Sequence, residues 1–206
     1  MQTDDLIIKT LLAEIEKAVT NSSKNPVIIA IDGNCGSGKT FYAHQLAKIF
    51  NASVIHCDDF FLPKEMRTAE RLAEVGGNIH YERLGETISM LVNEQSLSGG
   101  KKQFFTYMAY NCSTYGYEER RLHPSNIVIV EGSYSLHPSL RHLYDLKILL
   151  HVDSQTQYNR LLQREGEKGI ANFVNRWIPL ENRYFETINT ADCVVIDASS
   201  VGQVKM

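Results

Sequence analysis

The chain has 206 residues, 43% hydrophobic and 22% charged, the size and make-up of one soluble globular domain. Its 21 basic and 24 acidic side chains give a net charge of −3, which speaks against a nucleic-acid partner because such a partner calls for a basic face. Cys35, Cys57, Cys112 and Cys193 form no CxxC pair, which excludes a zinc signature and a disulfide framework and suits a reducing, cytoplasmic setting.

From residue 4 to 19, Leu6, Ile7, Leu11, Leu12, Ile15 and Val19 recur at helical spacing, and the stretch 21–26 ends the pattern. The early acids and the lack of a cleavage site distinguish this segment from a signal peptide. No apolar run approaches the ~20 residues that a membrane span needs, so no membrane partner is expected. Four short β-rich runs follow, at 27–31, 53–57, 127–130 and 146–152, with 194–196 as a fifth. Helical patterns occupy 39–50, 81–94, 156–164 and about 171–187. Near-continuous apolar strands alternating with helices predict an α/β fold: a three-layer sandwich with a mostly parallel five-stranded sheet and helices on both faces. A single domain is expected over 1–206, with an N-terminal helical segment at 1–24.

The stretch 96–126 breaks this rhythm. It carries four tyrosines and two phenylalanines between 103 and 117, among them Tyr107 and Tyr110. Such aromatics suit a hairpin packed on the sheet edge, and equally the wall of a pocket for a flat ligand.

The first β-run leads into IDGNCGSGKT, in which Gly33, Gly38, Lys39 and Thr40 satisfy G-x-x-x-x-G-K-[ST]. The glycines let the backbone of Gly33, Asn34, Cys35, Gly36, Ser37 and Gly38 wrap so that amides face phosphate oxygens. The helix starting near Lys39 adds the positive end of its dipole. Lys39 supplies a point charge for the β- and γ-phosphates, and the Thr40 hydroxyl is a Mg²⁺ ligand. Asp32, just before the loop, either orients Lys39 or ends the strand. An apolar strand before the loop and an amphipathic helix after it are the context that a phosphate loop requires.

The run IVIVEG ends at Glu131, where a carboxylate would help to hold Mg²⁺. The run SVIHCDDFF ends in two acids, and a kinase acting on a hydroxyl needs a carboxylate there to accept the proton. Asp58 is the first choice for that base and Asp59 the alternative. Signals of a GTPase, such as NKxD or DxxG, are absent. Cys35 in the loop is open to two readings, a redox switch or a small residue filling a crowded turn. His137 and His142, five apart in a proline-broken stretch, have poor metal spacing and are read as surface histidines.

VIHCDDFF and VEGSYSLHPSLRHLYDLKILLHVD, with RWIPLENRYFE and ADCVVI further on, resemble the uridine kinase/phosphoribulokinase/pantothenate kinase group over about 25–197. The resemblance implies ATP and Mg²⁺ as cofactors and transfer of the γ-phosphoryl group to a small hydroxylated metabolite. By position it implies Asp58 as base, Lys39 and Thr40 on phosphate and metal, and Glu131 as the strand-end acid. It also implies a small lid at about 164–180, with Arg164 and Arg160 reaching phosphates; for Arg160 a solvated helix face is the equal alternative, and Arg176 is a further lid arginine. On the acceptor side, GGNIHYER matches the segment that meets the acceptor sugar, with His80 where the group has aspartate and Arg83 close by. Tyr110-Asn111 matches its Y-D stretch with Asn111 replacing aspartate. Neutral histidine and asparagine accept fewer hydroxyl hydrogen bonds than a carboxylate, which turns the acceptor away from uridine itself. A nucleoside is nevertheless the first expectation. A vitamin precursor, glycerate or a sugar phosphate is the second, and a non-catalytic ATP-binding module the third. A homo-oligomer is left open.

Overall fold

The computed structural model describes residues 2–97 and 104–199. Helix α1 (Gln2–Asn21) precedes β1 (Val27–Gly33), α2 (Lys39–Phe50) and β2 (Ser53–His56). A short α3 (Ala69–Ala73) and the long α4 (Tyr81–Leu97) lead to a hairpin of β3 (Phe105–Asn111) and β4 (Gly116–Leu122). The chain then runs through β5 (Ile127–Glu131), β6 (Leu146–His151), α5 (Ser154–Asn172), α6 (Ile178–Thr187) and β7 (Val194–Asp197). Five strands form one sheet in the order β2-β5-β1-β6-β7, every neighbouring pair parallel. These are the five apolar runs of the sequence, in the α/β sandwich expected of them.

Alternation along the central strands builds the two outer layers. Ile29, Ile31, Ile127, Ile129, Ile148 and Leu150 pack against Leu11 and Ile15 of α1 and against Tyr42 and Leu46 of α2. Ile28, Ala30, Val128 and Val130 face the other way, towards Leu84 and Ile88 of α4 and Tyr184 of α6. Both faces of β1 and β5 are therefore dry, which is why these strands read as unbroken apolar runs.

From β1 the chain moves to one side, to β2 and β5, and later to the other, to β6 and β7. Ligands of open α/β sheets bind beyond the carboxyl ends of strands at such a reversal. Register brings Ile31, Glu131 and His56 side by side there, at the ends of β1, β5 and β2.

The aromatic stretch forms the two-stranded sheet β3-β4, apart from the main sheet. Of the insertion expected over 96–126, residues 98–103 lie outside the described residues. The stretch expected as a lid is helical almost throughout. Gly166 breaks α5 with φ 71 and ψ 176, and a π-helical turn (Phe173–Trp177) passes directly into α6. His137 corrects one expectation. It is 8% exposed and stacks on Tyr81 with ring centroids 4.0 Å apart, so it belongs to the interior, while His142 does face solvent. Among the described residues no helix is long and apolar enough to cross a membrane.

Candidate active site

Residues 33–40 wrap between β1 and α2. Gly33 has φ 150, and a Cβ there would lie 2.1 Å from the Leu150 carbonyl oxygen of β6. Gly38, at φ 93, is the residue from which α2 springs, and a Cβ on it would meet the Tyr42 ring at 3.2 Å. Both glycines are thus demanded by backbone shape and by close approach. Lys39 is 8% exposed and donates to the carbonyls of Gly33 (2.7 Å) and Asn34 (2.9 Å). The Ser37 hydroxyl is buried with no hydrogen-bond partner, an orphan donor inside a loop shaped for anions.

The strand-end acids differ sharply in occupation. Glu131 is 4% exposed; it accepts from the Thr40 hydroxyl at 3.0 Å and meets His56 Nδ1 at 2.5 Å. That contact raises the His56 pKa above its usual value, against the opposing effect of burial. Asp59 accepts from the Tyr107 hydroxyl at 2.6 Å and lies 3.7 Å from Arg120. Asp58 has neither a hydrogen-bond partner nor an ion pair among the described residues. Its residue surface is open to solvent, yet crowding around the carboxyl and the charge of Glu131 hold its pKa above the ordinary carboxylate value. Of the two adjacent acids, the one with a free carboxylate is Asp58.

An oxygen-rich pair, Thr40 with Glu131, suits Mg²⁺, which is commonly held by one or two protein ligands and completed by substrate phosphates. Among the described residues there is no group of three or more histidine, cysteine, aspartate or glutamate side chains that could hold a metal by itself. The residues present therefore fit a metal that arrives with a nucleotide.

Two residues that the sequence did not single out, Glu181 and Tyr184, tie the loop to α6. Glu181 is 3% exposed and accepts from the Cys35 amide at 2.9 and 3.1 Å and from the Ser133 hydroxyl at 2.8 Å. Burial and this carboxylate push the Cys35 thiol up to about 12, which disfavours the thiolate. One turn on, the Tyr184 hydroxyl donates to Asp32 at 2.6 Å. Asp32 also accepts from the amides of Gly33, Tyr134 and Leu136, and burial nonetheless raises it to about 6. On the opposite side, Gln157 donates to the Cys35 carbonyl at 3.1 Å, and Arg160 to the carbonyls of Gly36 and Ala198 at 3.0 and 2.8 Å. Arg160 thus braces the loop through its main chain. Arg164, at the outer end of the first part of α5, bonds Glu165 at 2.6 Å and lies over the Phe173 ring.

The acceptor-side residues are engaged in internal contacts. Arg83 donates to the Asp59 carbonyl at 2.9 Å and to the Met108 carbonyl, and its guanidinium covers the Phe60 ring at 4.4 Å. His80 Nδ1 accepts from the Arg83 amide at 3.2 Å, at the start of α4. Tyr107 stacks on Phe60 at 5.4 Å, and the Tyr110 hydroxyl accepts from the Lys64 amide at 3.3 Å. Asn111 accepts from the amides of Ser113 and Thr114 and donates to Glu118, the bonding of an asparagine in a hairpin turn.

The chain matches the model of the phosphoribulokinase/uridine kinase family over residues 28–169. It is 27% identical over 194 residues to a uridine kinase of Lactobacillus johnsonii, covering 84% of this chain and 87% of that protein. It is 29% identical over 168 residues to an inorganic pyrophosphatase of Arabidopsis thaliana, covering 78% of this chain. The chain spans 24% of the length of that plant protein and 34% of a Dictyostelium discoideum uridine-cytidine kinase C. A Bacillus stearothermophilus structure described as a possible uridine kinase shares the fold with TM-score 0.66 at 21% identity, covering 96% of this chain and all of that one. YFH7 from Saccharomyces cerevisiae shares it with TM-score 0.63 at 13% identity, over 92% of this chain and 98% of that one. Since the family match takes in the phosphate loop, the acids Asp58, Asp59 and Glu131 and most of α5, more than half of the sequence, the chain belongs to the phosphoribulokinase/uridine kinase family.

Proposed function

We infer that this chain binds ATP with Mg²⁺ and passes the γ-phosphoryl group to a hydroxyl of a small metabolite. The observation that carries the reading is Asp58, a carboxylate free of partners beside the phosphate loop, next to an Asp59 that is fully engaged. The hydroxyl oxygen bonds to the γ-phosphorus as the bond to ADP breaks, and Asp58 takes the hydroxyl proton. Lys39, the Ser37 hydroxyl and the loop amides meet the phosphate charge. Mg²⁺, held by Thr40 and Glu131 when bound, would neutralise charge on the phosphates. Arg164 stands beside the Gly166 break in α5, where a lid segment can hinge to exclude water. Nucleosides are the first acceptors to test, since relatives named uridine kinases cover most of the chain.

The test is ADP release with Mg²⁺-ATP across nucleosides, vitamins, glycerate and sugar phosphates, in the native chain and in Asp58→Asn. The expected result is loss of transfer by a factor on the order of 10² or more, with ATP affinity nearly intact. Because the Asp58 pKa is raised, kcat/KM should fall on the acid side at a pH above the ordinary carboxylate range. Full activity in Asp58→Asn would show the base to be misassigned. Tight ATP binding without any productive acceptor would favour a binding module.

A further inference from the structure

A cavity of about 380 Å³ lies between the segment before α4 and the N-terminal half of α6, and its walls include Tyr134, Arg176 and Arg183. Its size falls within the ~300–1,000 Å³ of small-metabolite sites. Tyr134 follows Glu131 by three residues and its amide bonds Asp32, so the cavity opens beside the carboxyl ends of β5 and β1. The rest of the wall is largely apolar, with Leu72, Val75 and Leu180.

Its charge is unbalanced. Neither Arg176 nor Arg183 has a carboxylate partner among the described residues; Arg183 donates only to the Ala73 carbonyl at 3.2 Å, and Arg176 lies over the Trp177 ring at 4.7 Å. The one acid in the wall, Glu74, is already committed to Arg71 at 3.1 Å and to the Tyr81 hydroxyl at 3.2 Å. Two guanidinium groups with spare donors beside an apolar wall match a small molecule that has an apolar body and a carboxylate or phosphate. His80 Nδ1 and the Asn111 amide are engaged by α4 and by the hairpin turn, while Asn78 and Asn175 in the wall offer neutral amides to the hydroxyls of the same molecule. We propose that this cavity is the acceptor site and that the acceptor is an anionic hydroxylated metabolite, gripped at its acid group by Arg176 and Arg183. The proposal rests on the kinase reading for the fate of the bound molecule, and on the cavity for its binding.

Trp177 is the chain's single tryptophan and lies against Arg176, so its fluorescence reports occupancy without any turnover. Glycerate, pantothenate and ribose 5-phosphate serve as anionic probes, and uridine and ribose as neutral ones. At least one anionic probe should alter the emission saturably below about 1 mM, and the neutral probes should not. Arg176→Ala and Arg183→Ala should each raise that Kd about 10- to 100-fold, the worth of one charged hydrogen-bonding contact. In ADP-release assays the same changes should raise KM for the acceptor by that factor and leave KM for ATP within about twofold. Arg183→Gln keeps a donor for the Ala73 carbonyl without the charge, so a full rescue by glutamine would reduce Arg183 to a structural role and overturn its part in the site. A rise in KM for ATP on Arg176→Ala would likewise overturn that residue's assignment. Uridine turnover indifferent to both substitutions, with no saturable anion binding, overturns the anionic acceptor and leaves the kinase reading intact. Arginine-dependent anion binding with no acceptor-stimulated ADP release upholds the cavity and sinks the kinase reading.

Discussion

Tyr184→Phe isolates one hydrogen bond at the junction of the phosphate loop and α6. The tyrosine hydroxyl reaches Asp32 at 2.6 Å, while its ring contacts Tyr134 edge-on with centroids 4.9 Å apart, a packing that phenylalanine keeps. Asp32 is fully buried, and the lost bond is to a carboxylate, so the cost at neutral pH should be about 1.5–3 kcal/mol. For a chain of this length each kcal/mol moves Tm by roughly 2–4 °C, which gives a fall of about 3–12 °C. The pH dependence makes the prediction sharper. Asp32 titrates at about 6 in the fold against 3.8 ordinarily, so the folded state keeps a proton that the unfolded chain has released. Stability from this group is therefore greatest below about pH 4 and declines by about 3 kcal/mol as pH rises through 6. At pH 4.5 Asp32 is neutral with or without Tyr184, and the bond to it is worth only about 1 kcal/mol. Melting curves of the two proteins from pH 4.5 to 8 should thus diverge as pH rises. A gap under about 1 °C at pH 7.5, or one that does not shrink in acid, would refute the account of Asp32 as a buried, donor-dependent carboxylate.

Glu131→Gln removes the charge shared by Thr40 and His56, so the Mg²⁺ concentration for half-maximal activity should rise at least about tenfold. The same change should return His56 towards 6.5; since its pKa is raised, the stabilisation that it brings is complete below 6.5 and lost as pH climbs through the folded value, and the variant's stability profile should be flatter across that window. Gly33→Ala places a methyl group 2.1 Å from the Leu150 carbonyl, and is expected to abolish ATP binding or soluble folded protein, read by nucleotide titration and gel filtration. Glu181→Gln takes a negative charge from beside Cys35 and should lower that thiol's pKa from about 12, which alkylation rates measured against pH will follow.

The layers of the fold were legible because they rest on period and run length. β1 and β5 are buried on both faces, and only unbroken apolar stretches satisfy that position. The phosphate loop was legible because Gly33, Gly38, Lys39 and Thr40 answer local needs of backbone shape and charge within eight residues. The break in α5 was harder. A glycine at 166 reads as one weak breaker in a helical pattern, which does not encode its φ of 71. Glu181 and Tyr184 lie in the RWIPLENRYFE stretch that carries the family resemblance, but nothing local marks their roles, since their partners Cys35 and Asp32 lie 146 and 152 positions away.

The adjacent acids Asp58 and Asp59 show why site chemistry is less legible than site location. Both lie in the 3-10 turn Cys57–Phe60 that follows β2, and nothing in CDDFF separates a proton acceptor from a structural anchor. The separation comes from the hairpin: β3 brings the Tyr107 hydroxyl to Asp59, and β4 brings Arg120, which consumes one carboxylate and leaves the other unpaired. Tyr107 was open to two readings, hairpin packing or the wall of an acceptor pocket; its hydroxyl bonds Asp59 and its ring stacks on Phe60. An aromatic hairpin that is silent as chemistry therefore still decides which acid is free to do it. If Tyr107→Phe is made, Asp59 loses its shortest contact and becomes a second available carboxylate, so the activity lost in Asp58→Asn should be partly restored in the double variant; no recovery at all would mean that position, rather than occupation, separates the two acids.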